Sequence, residues 1–212
     1  MIAGDSHSSD FRRRHWEVTY GAKPTTELSW FQDTPTMSLA MIETTGLGQK
    51  ARIVDVGGGA SRLAERLLES GYGRLAVLDI TSAALAEARA RLGPRANEVE
   101  FIHADVTAWK PAHVYEIWHD RATFHFLIAA AERRAYRAAL EVALAPAGQA
   151  IIATFGPDGP PSCSGLPVMR YGPVEIAREL GAAFTLVEER VENHRTPAGA
   201  IQKFRYYRLR RR

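Results

Sequence analysis

Apolar and polar positions along the 212-residue chain alternate between two periods. Arg52-Ile53-Val54-Asp55-Val56 is a short apolar run that ends in Gly57-Gly58-Gly59, the mark of a buried strand entering a tight turn. Ser61 to Glu69 then carries leucines at helical spacing and stops at Gly71. Leu75 to Leu78 is a second strand that closes on Asp79, and Ser82 to Leu92 a helix with Ser82 as its expected N-cap and Gly93-Pro94 as its stop. Val99 to His103 and Val114 to Trp118 read as the third and fourth strands. A helix over Glu132 to Leu144 is expected to end at Pro146-Ala147-Gly148, ahead of a fifth strand, Ala150 to Phe155.

Strands separated by helices predict parallel βαβ units with right-handed crossovers. Past Gly156 the pattern changes. Pro157 to Pro167 is rich in Pro, Gly and Ser and reads as a loop, and Pro173 to Leu180 as a last helix. Phe184 to Glu192 and Ala200 to Tyr207 read as two strands joined by a turn, an antiparallel hairpin at the edge of the sheet. Ahead of the first strand, Met37 to Thr44 has helical spacing and His15 to Asp33 is aromatic-rich, with Trp16, Tyr20, Trp30 and Phe31. Ser6 to Asp10 reads as a disordered lead-in. The fold class expected is α/β, a Rossmann-like, mostly parallel sheet with helices on both faces and an antiparallel C-terminal hairpin.

Composition adds little to this picture. No apolar run approaches the ~20 residues of a membrane helix, and the polar start lacks the apolar core of a secretory signal. One cysteine, Cys163, cannot form an internal disulfide, so a reducing cytoplasm is expected. The formal charge of +3 is concentrated at the ends, in Arg12 to Arg14 and in Arg205, Arg208 and Arg210 to Arg212. These are read as solvated termini; no RNA-binding signature or zinc spacing accompanies them, so neither nucleic acid nor a metal is expected.

The chemistry collects at strand ends. Glycine at 57 to 59 permits the tight turn and a close backbone approach by a ligand. Asp79, at the end of the second strand, is placed to accept hydrogen bonds from ribose hydroxyls. A dinucleotide fingerprint wants a third glycine where this chain has Arg62. Asp55 stands two residues before the first glycine, and Asp105 follows the third strand, where an adenine amino group is expected. Three carboxylates suit a cationic sulfonium and ammonium ligand better than an anionic dinucleotide.

These residues resemble class I S-adenosylmethionine-dependent methyltransferases, through D-V-G-G-G, L-D-I and H-A-D-V in order and a terminal hairpin. The resemblance implies a seven-stranded sheet with an antiparallel last strand, and the cofactor S-adenosyl-L-methionine. It implies a cofactor site of Asp55, Gly57, Gly58, Gly59, Asp79, Ile80, Asp105, Val106 and Asp120, with Trp16, Tyr20 and Trp30 as a lid whose ring faces favour the sulfonium. The domain layout expected is a flexible segment over 1–14 and a single methyltransferase domain over 15–212. Within it, 15–46 are lid and helix, 50–155 the cofactor-binding core, and 156–212 the acceptor loop and hairpin.

Two local likenesses bear on the acceptor. Asp120-Arg121-Ala122 followed by Arg133 and Tyr136 resembles the thiopurine, thiol and halide branch, which methylates soft nucleophiles on small molecules. The opening Trp16-x-x-x-Tyr20 and Trp30-Phe31 resembles lysine methyltransferases of citrate synthase and elongation factor, whose fourth-strand motif differs from Asp120-Arg121-Ala122. A small-molecule, soft acceptor is therefore expected first and a protein lysine second; a non-catalytic cofactor-binding or interaction protein is the reading from another class. Candidate acceptor-side residues are Phe31, Arg121, His125, Cys163 and Arg170, and His119 and His125 are the candidate bases, or else core histidines. No residue in the sequence is evidently placed to orient either imidazole.

Overall fold

The computed structural model describes residues 9–212. Seven strands form one sheet in the order β3-β2-β1-β4-β5-β9-β8, built from β1 (Ile53–Val56), β2 (Leu75–Asp79), β3 (Val99–His103), β4 (Tyr115–Arg121), β5 (Leu144–Phe155), β8 (Phe184–Arg195) and β9 (Ile201–Arg211). Pairings among β1 to β5 are parallel, whereas β9 runs antiparallel to both neighbours. A two-stranded ribbon, β6 (Ser162–Cys163) and β7 (Leu166–Pro167), stands apart within the stretch expected to be loop. The helices are α1 (Ser9–Ala22), α2 (Thr36–Glu43), α3 (Leu63–Glu69), α4 (Ser82–Leu92), α5 (Ala130–Ala143) and α6 (Pro173–Leu180).

Period-two alternation sends neighbouring strand residues into two separate cores. Val54, Ala76, Trp118 and Ile152 pack with Tyr136 and Leu140 of α5 and Ile176 and Leu180 of α6. Ile53, Val77, Ile117 and Ile151 face the other way, onto Met41 of α2, Leu63 and Leu67 of α3 and Leu85 of α4. A sheet covered on both faces needs apolar side chains on both, which is why β1 and β2 are buried throughout.

Several expectations are corrected. Residues 9–14, expected to be flexible, belong to α1; residues 1–8 lie outside the described residues. Pro146-Ala147-Gly148 does not end a helix before a fresh strand: the pairing of β4 with β5 jumps from Tyr115↔Leu144 to Ile117↔Gln149, so these residues form a bulge within β5, with Ala147 at φ 61°. The N-cap of α4 is Thr81, not Ser82, and it makes no side-chain cap because its hydroxyl is engaged with Asp79.

The basic C-terminus is strand, not solvated tail. Arg205 pairs with Glu189, and Arg208 with Glu188 and the Gln149 amide. Among the described residues no helix is long and apolar enough to cross a membrane.

Strand order reverses between β1 and β4. In open α/β sheets the crevice beyond the carboxyl ends at such a point is where ligands sit. Here those ends are Val56-Gly57 and Asp120-Arg121.

Candidate active site

The glycine turn is shaped by what lies against it. Gly57 takes φ 67° and Gly59 φ 46°, conformations that side chains rarely adopt. A Cβ at Gly57 would stand 1.7 Å from Thr123 Oγ1, and one at Gly58 2.5 Å from Asp55 Oδ2. At Gly59 it would meet Tyr20 Oη at 2.7 Å and Asp79 Oδ2 at 2.8 Å. The turn therefore leaves no room for a side chain: Thr123 and Tyr20 close on its backbone, and two carboxylates flank it.

A cavity of about 770 Å³, open in part to solvent, lies beside this turn. Gly57, Asp79, Ile80, Asp105 and Val106 line it from the strand ends, Trp16, Tyr20 and Trp30 from the lid, and Arg121 and Cys163 from the far side. Asp79 Oδ1 accepts the backbone N–H and the hydroxyl of Thr81, both at 2.8 Å, which leaves Oδ2 for a ligand. Burial raises the Asp79 carboxyl to about 6, against the lowering effect of the Thr81 bonds.

Asp105 is committed differently from expectation. Its Oδ1 accepts from the N–H and hydroxyl of Thr107, at 2.8 and 2.7 Å. Its Oδ2 takes the Ser9 hydroxyl and stands 3.4 Å from Arg12 Nη2. Burial works against its charge, but those bonds and the Arg12 cation outweigh it and hold the carboxyl below its ordinary value. Arg12 also pairs with Glu132, so the carboxylate expected at the adenine helps fasten helix α1 to the rest of the fold. The aromatics form an edge-to-face cluster: Trp16 lies 5.4 Å from Trp30 and 5.0 Å from Phe126, centroid to centroid.

A second cavity, of about 520 Å³, lies across Gly57, and Asp55, Gly58, Phe31, Ser38 and His119 line it. Trp30, Gly57 and Arg121 border both cavities. His119 Nδ1 is 2.7 Å from Asp55 Oδ1 and its Nε2 2.9 Å from Ser38 Oγ. Asp55 thus orients the imidazole, a relation absent from the sequence reading, and Ser38 completes it from α2 with no motif to announce it. Phe31, expected on the acceptor side, belongs to this cavity instead, with the Arg62 guanidinium 5.6 Å from its ring centre.

Four expected site residues line neither cavity: Gly59, whose place in the turn is given above, and Asp120, His125 and Arg170. Asp120 faces α5: it accepts the N–H groups of Thr123 and Phe124 and, at 2.7 Å, the Tyr136 hydroxyl. The alternation that turns Asp120 away turns Arg121 toward the crevice. Burial raises the Asp120 carboxyl to about 7, and its role is to hold the 121–127 turn. His125 is fully buried with Nδ1 3.5 Å from the Phe155 N–H; burial and then the Arg121 cation push it down to about 3, so it stays neutral. Arg170 donates to the carbonyls of Pro157 and Gly159 and ties down its own loop. Sequence reasoning missed Arg12 and Ser38, neither of which carries a local signal of its partner.

Arg121 is the cation at the junction. Its Nε donates to Tyr206 Oη at 2.9 Å, its Nη1 to the Trp30 carbonyl at 3.0 Å, and it lies over the Phe204 ring. Cys163 is buried beside the Ser164 and Ser29 hydroxyls, and burial pushes its thiol up to about 11. Among the described residues no cluster of His, Cys, Asp and Glu is set to hold a metal ion. The glycine turn, the uncommitted Asp79 Oδ2 and the aromatic rings of Trp16, Tyr20 and Trp30 fit an adenosyl sulfonium.

Comparison with known proteins agrees. Residues 53–148 match the family model of a methyltransferase domain. A search of curated protein sequences gave no match. Among solved structures, the chain is similar to a protein of echinomycin biosynthesis studied for the conversion of a disulfide bond into a thioacetal group. That likeness has 19% identity over 94% of this chain and 93% of that one, with a TM-score of 0.78.

It is also similar to the 1,6-didemethyltoxoflavin N1-methyltransferase of Burkholderia thailandensis, solved with its acceptor and S-adenosylhomocysteine (20% identity, 96% and 86% covered, TM-score 0.68). The N-methyltransferase NodS of Bradyrhizobium japonicum, solved with S-adenosylhomocysteine, is a third (16% identity, 85% and 89% covered, TM-score 0.66). Its matched segment is that of a methyltransferase domain, and its strand order and antiparallel β9 give the chain the fold of the S-adenosylmethionine-dependent methyltransferases.

Proposed function

We propose that this chain methylates a soft, readily ionised nucleophile on a small molecule, a thiol foremost, in a cytoplasmic setting. S-adenosylmethionine supplies, when bound, a methyl group already activated on a sulfonium. The protein's share is alignment and exclusion of water. Gly57 to Gly59, Asp55, Asp79, Ile80 and Val106 would hold the donor, Trp16, Tyr20 and Trp30 would cover it, and the acceptor would rest against Arg121, Phe126 and Cys163.

One observation carries the acceptor class: once Asp55 and Asp79 are assigned to the donor, none of the described residues bordering the two cavities is left free to act as a general base. His119 has both ring nitrogens engaged, by Asp55 and Ser38. Asp105 is tied to Thr107, Ser9 and Arg12. Burial raises the Tyr20 phenol and the Cys163 thiol, so both are neutral near pH 7. A thiol, with a reference pKa of about 8.5, ionises with modest help, and the Arg121 cation favours the thiolate. A phenol or alcohol would need the base that is missing.

The test is a panel of small thiols, hydroxylated aromatics and a protein extract with methyl-labelled cofactor. Label should pass to thiols, with a rate that rises with pH toward the thiol's own pKa and then levels off. Label passing only to protein would overturn the reading.

A further inference from the structure

Ser29 to Gln32 belong to neither helix nor strand, so their backbone carbonyls take partners from elsewhere. Those partners lie far along the chain. His194 Nε2 donates to the Ser29 carbonyl at 2.8 Å, and Arg121 Nη1 to the Trp30 carbonyl at 3.0 Å. The Gln32 amide donates to Glu192 Oε1 at 2.8 Å. The edge strand β8 thus grips this stretch at both ends, through His194 and Glu192, with Trp30 between. Trp30 borders both cavities, and its ring meets Trp16 and Tyr20 edge-on at 5.4 and 6.1 Å.

Beyond Gln32, Glu192 serves two further groups. Its Oε2 accepts the Tyr206 hydroxyl at 3.1 Å and stands 3.7 Å from Arg121 Nη2. Tyr206 Oη in turn accepts from Arg121 Nε at 2.9 Å, and the Phe204 ring supports the guanidinium at 4.4 Å. The Arg121 and Glu192 side chains are 11% and 14% exposed, so losing one leaves the other charge largely desolvated. Glu192 lines neither cavity, whereas Arg121 lines both. Its reach into the site therefore runs through Arg121, Tyr206 and Gln32.

We infer that Glu192 is a positioning residue for methyl transfer: it clamps the 29–32 stretch so that Trp30 keeps its place at the junction of the two cavities. Glu192 itself touches neither donor nor acceptor. With the clamp released, His194 still holds Ser29, but the Arg121 guanidinium loses its countercharge and Gln32 its partner. Trp30 is then fixed from one end alone. A ring displaced by about 1 Å at this junction costs donor binding and alignment alike. This role depends on the donor assignment and not on the acceptor's class.

A double-mutant cycle on S-adenosylhomocysteine binding tests this role, with calorimetry on the parent, Glu192→Ala, Trp30→Phe and the double variant. Glu192→Ala should weaken binding about tenfold in the parent and under about twofold in the Trp30→Phe background, because Glu192 acts through Trp30. Glu192→Gln, which still accepts the Tyr206 hydroxyl, should limit the loss to about threefold. Near-UV circular dichroism gives a readout that needs no ligand. Glu192→Ala should lose the part of the tryptophan signal that Trp30→Phe removes, with the far-UV spectrum unchanged. Additive losses in the cycle, or a near-UV spectrum identical to the parent's, would overturn the inference. Should Glu192→Ala fail to fold, Gln32→Ala cuts the same tie from the loop side and meets the same near-UV criterion. If S-adenosylhomocysteine does not bind the parent, the donor assignment fails, and the near-UV comparison still decides whether Glu192 holds Trp30.

Discussion

The imidazole of His119 is held between two groups on different elements, with Asp55 Oδ1 2.7 Å from Nδ1 and Ser38 Oγ 2.9 Å from Nε2. With Nδ1–H donating to the carboxylate, Nε2 accepts the serine hydroxyl. All three side chains are buried. His119 thus acts as a strut that joins β1, β4 and α2 and fixes Asp55 at the glycine turn. Replacing it by alanine leaves the Asp55 carboxyl buried without a partner, at a cost of about 3 kcal/mol. In a domain of this size the melting temperature should fall by roughly 6–12 °C. His119→Asn should recover part of the loss. A change below about 1 kcal/mol in urea unfolding would contradict the strut.

Asp79 links cofactor affinity to stability. Its folded-state value of about 6 lies above the ordinary 3.8, because burial disfavours the charge. The sign follows. Between those values the unfolded chain has lost the proton that the fold still holds, so stability declines as pH rises through this window. Above pH 6 the full penalty remains, about 3 kcal/mol at 1.36 kcal/mol per unit. Asp79→Asn should therefore stabilise the free protein at pH 7.5 and weaken S-adenosylhomocysteine binding by at least tenfold. In the parent protein, affinity should fall as pH is lowered through 6. Thermal melts and titrations at pH 5 and 7.5 check both halves; a less stable Asn variant would contradict the assignment.

The sheet and the helices between its strands were legible in the sequence. Leu75 to Leu78 is apolar throughout, and Ile53 to Val56 is apolar but for Asp55, because both faces of their strands are covered, and the short helices between them repeat every three to four residues. The site was half legible: a glycine turn and strand-end acids announce themselves, but which acid faces the crevice depends on strand phase. Asp120 and Arg121 are neighbours in sequence and point to opposite faces. Ser38 and Arg12 left no mark because their partners, His119, Asp105 and Glu132, are far along the chain. The run Arg12 to Arg14 looked like solvated charge, yet Arg12 is 7% exposed.

Arg12 anchors the lid. Arg12→Ala removes its ties to Asp105 and Glu132, and α1 should then open in the free protein. Limited trypsin digestion should cut at Arg13, Arg14 and Lys23 at least tenfold faster than in the parent. Saturating S-adenosylhomocysteine should restore protection, because ligand binding favours the closed form. Equal digestion of both proteins would show that the aromatics alone hold α1.

Cys163 should be inert. With its thiol raised to about 11, only about a thousandth is thiolate at pH 8, so alkylation by iodoacetamide should be far slower than that of free cysteine. Cys163→Ser should keep most of the activity. Rapid alkylation, or loss of turnover in the serine variant, would give the thiol a chemical role.

The central claim is that this crevice takes an adenosyl sulfonium cofactor and not a dinucleotide. Calorimetric titration of the free protein at pH 7.5 with S-adenosylhomocysteine, and separately with NAD, tests it most directly. The account predicts one site for S-adenosylhomocysteine at micromolar affinity or tighter, about −8 kcal/mol, and no heat with NAD. NAD binding in place of S-adenosylhomocysteine would contradict it.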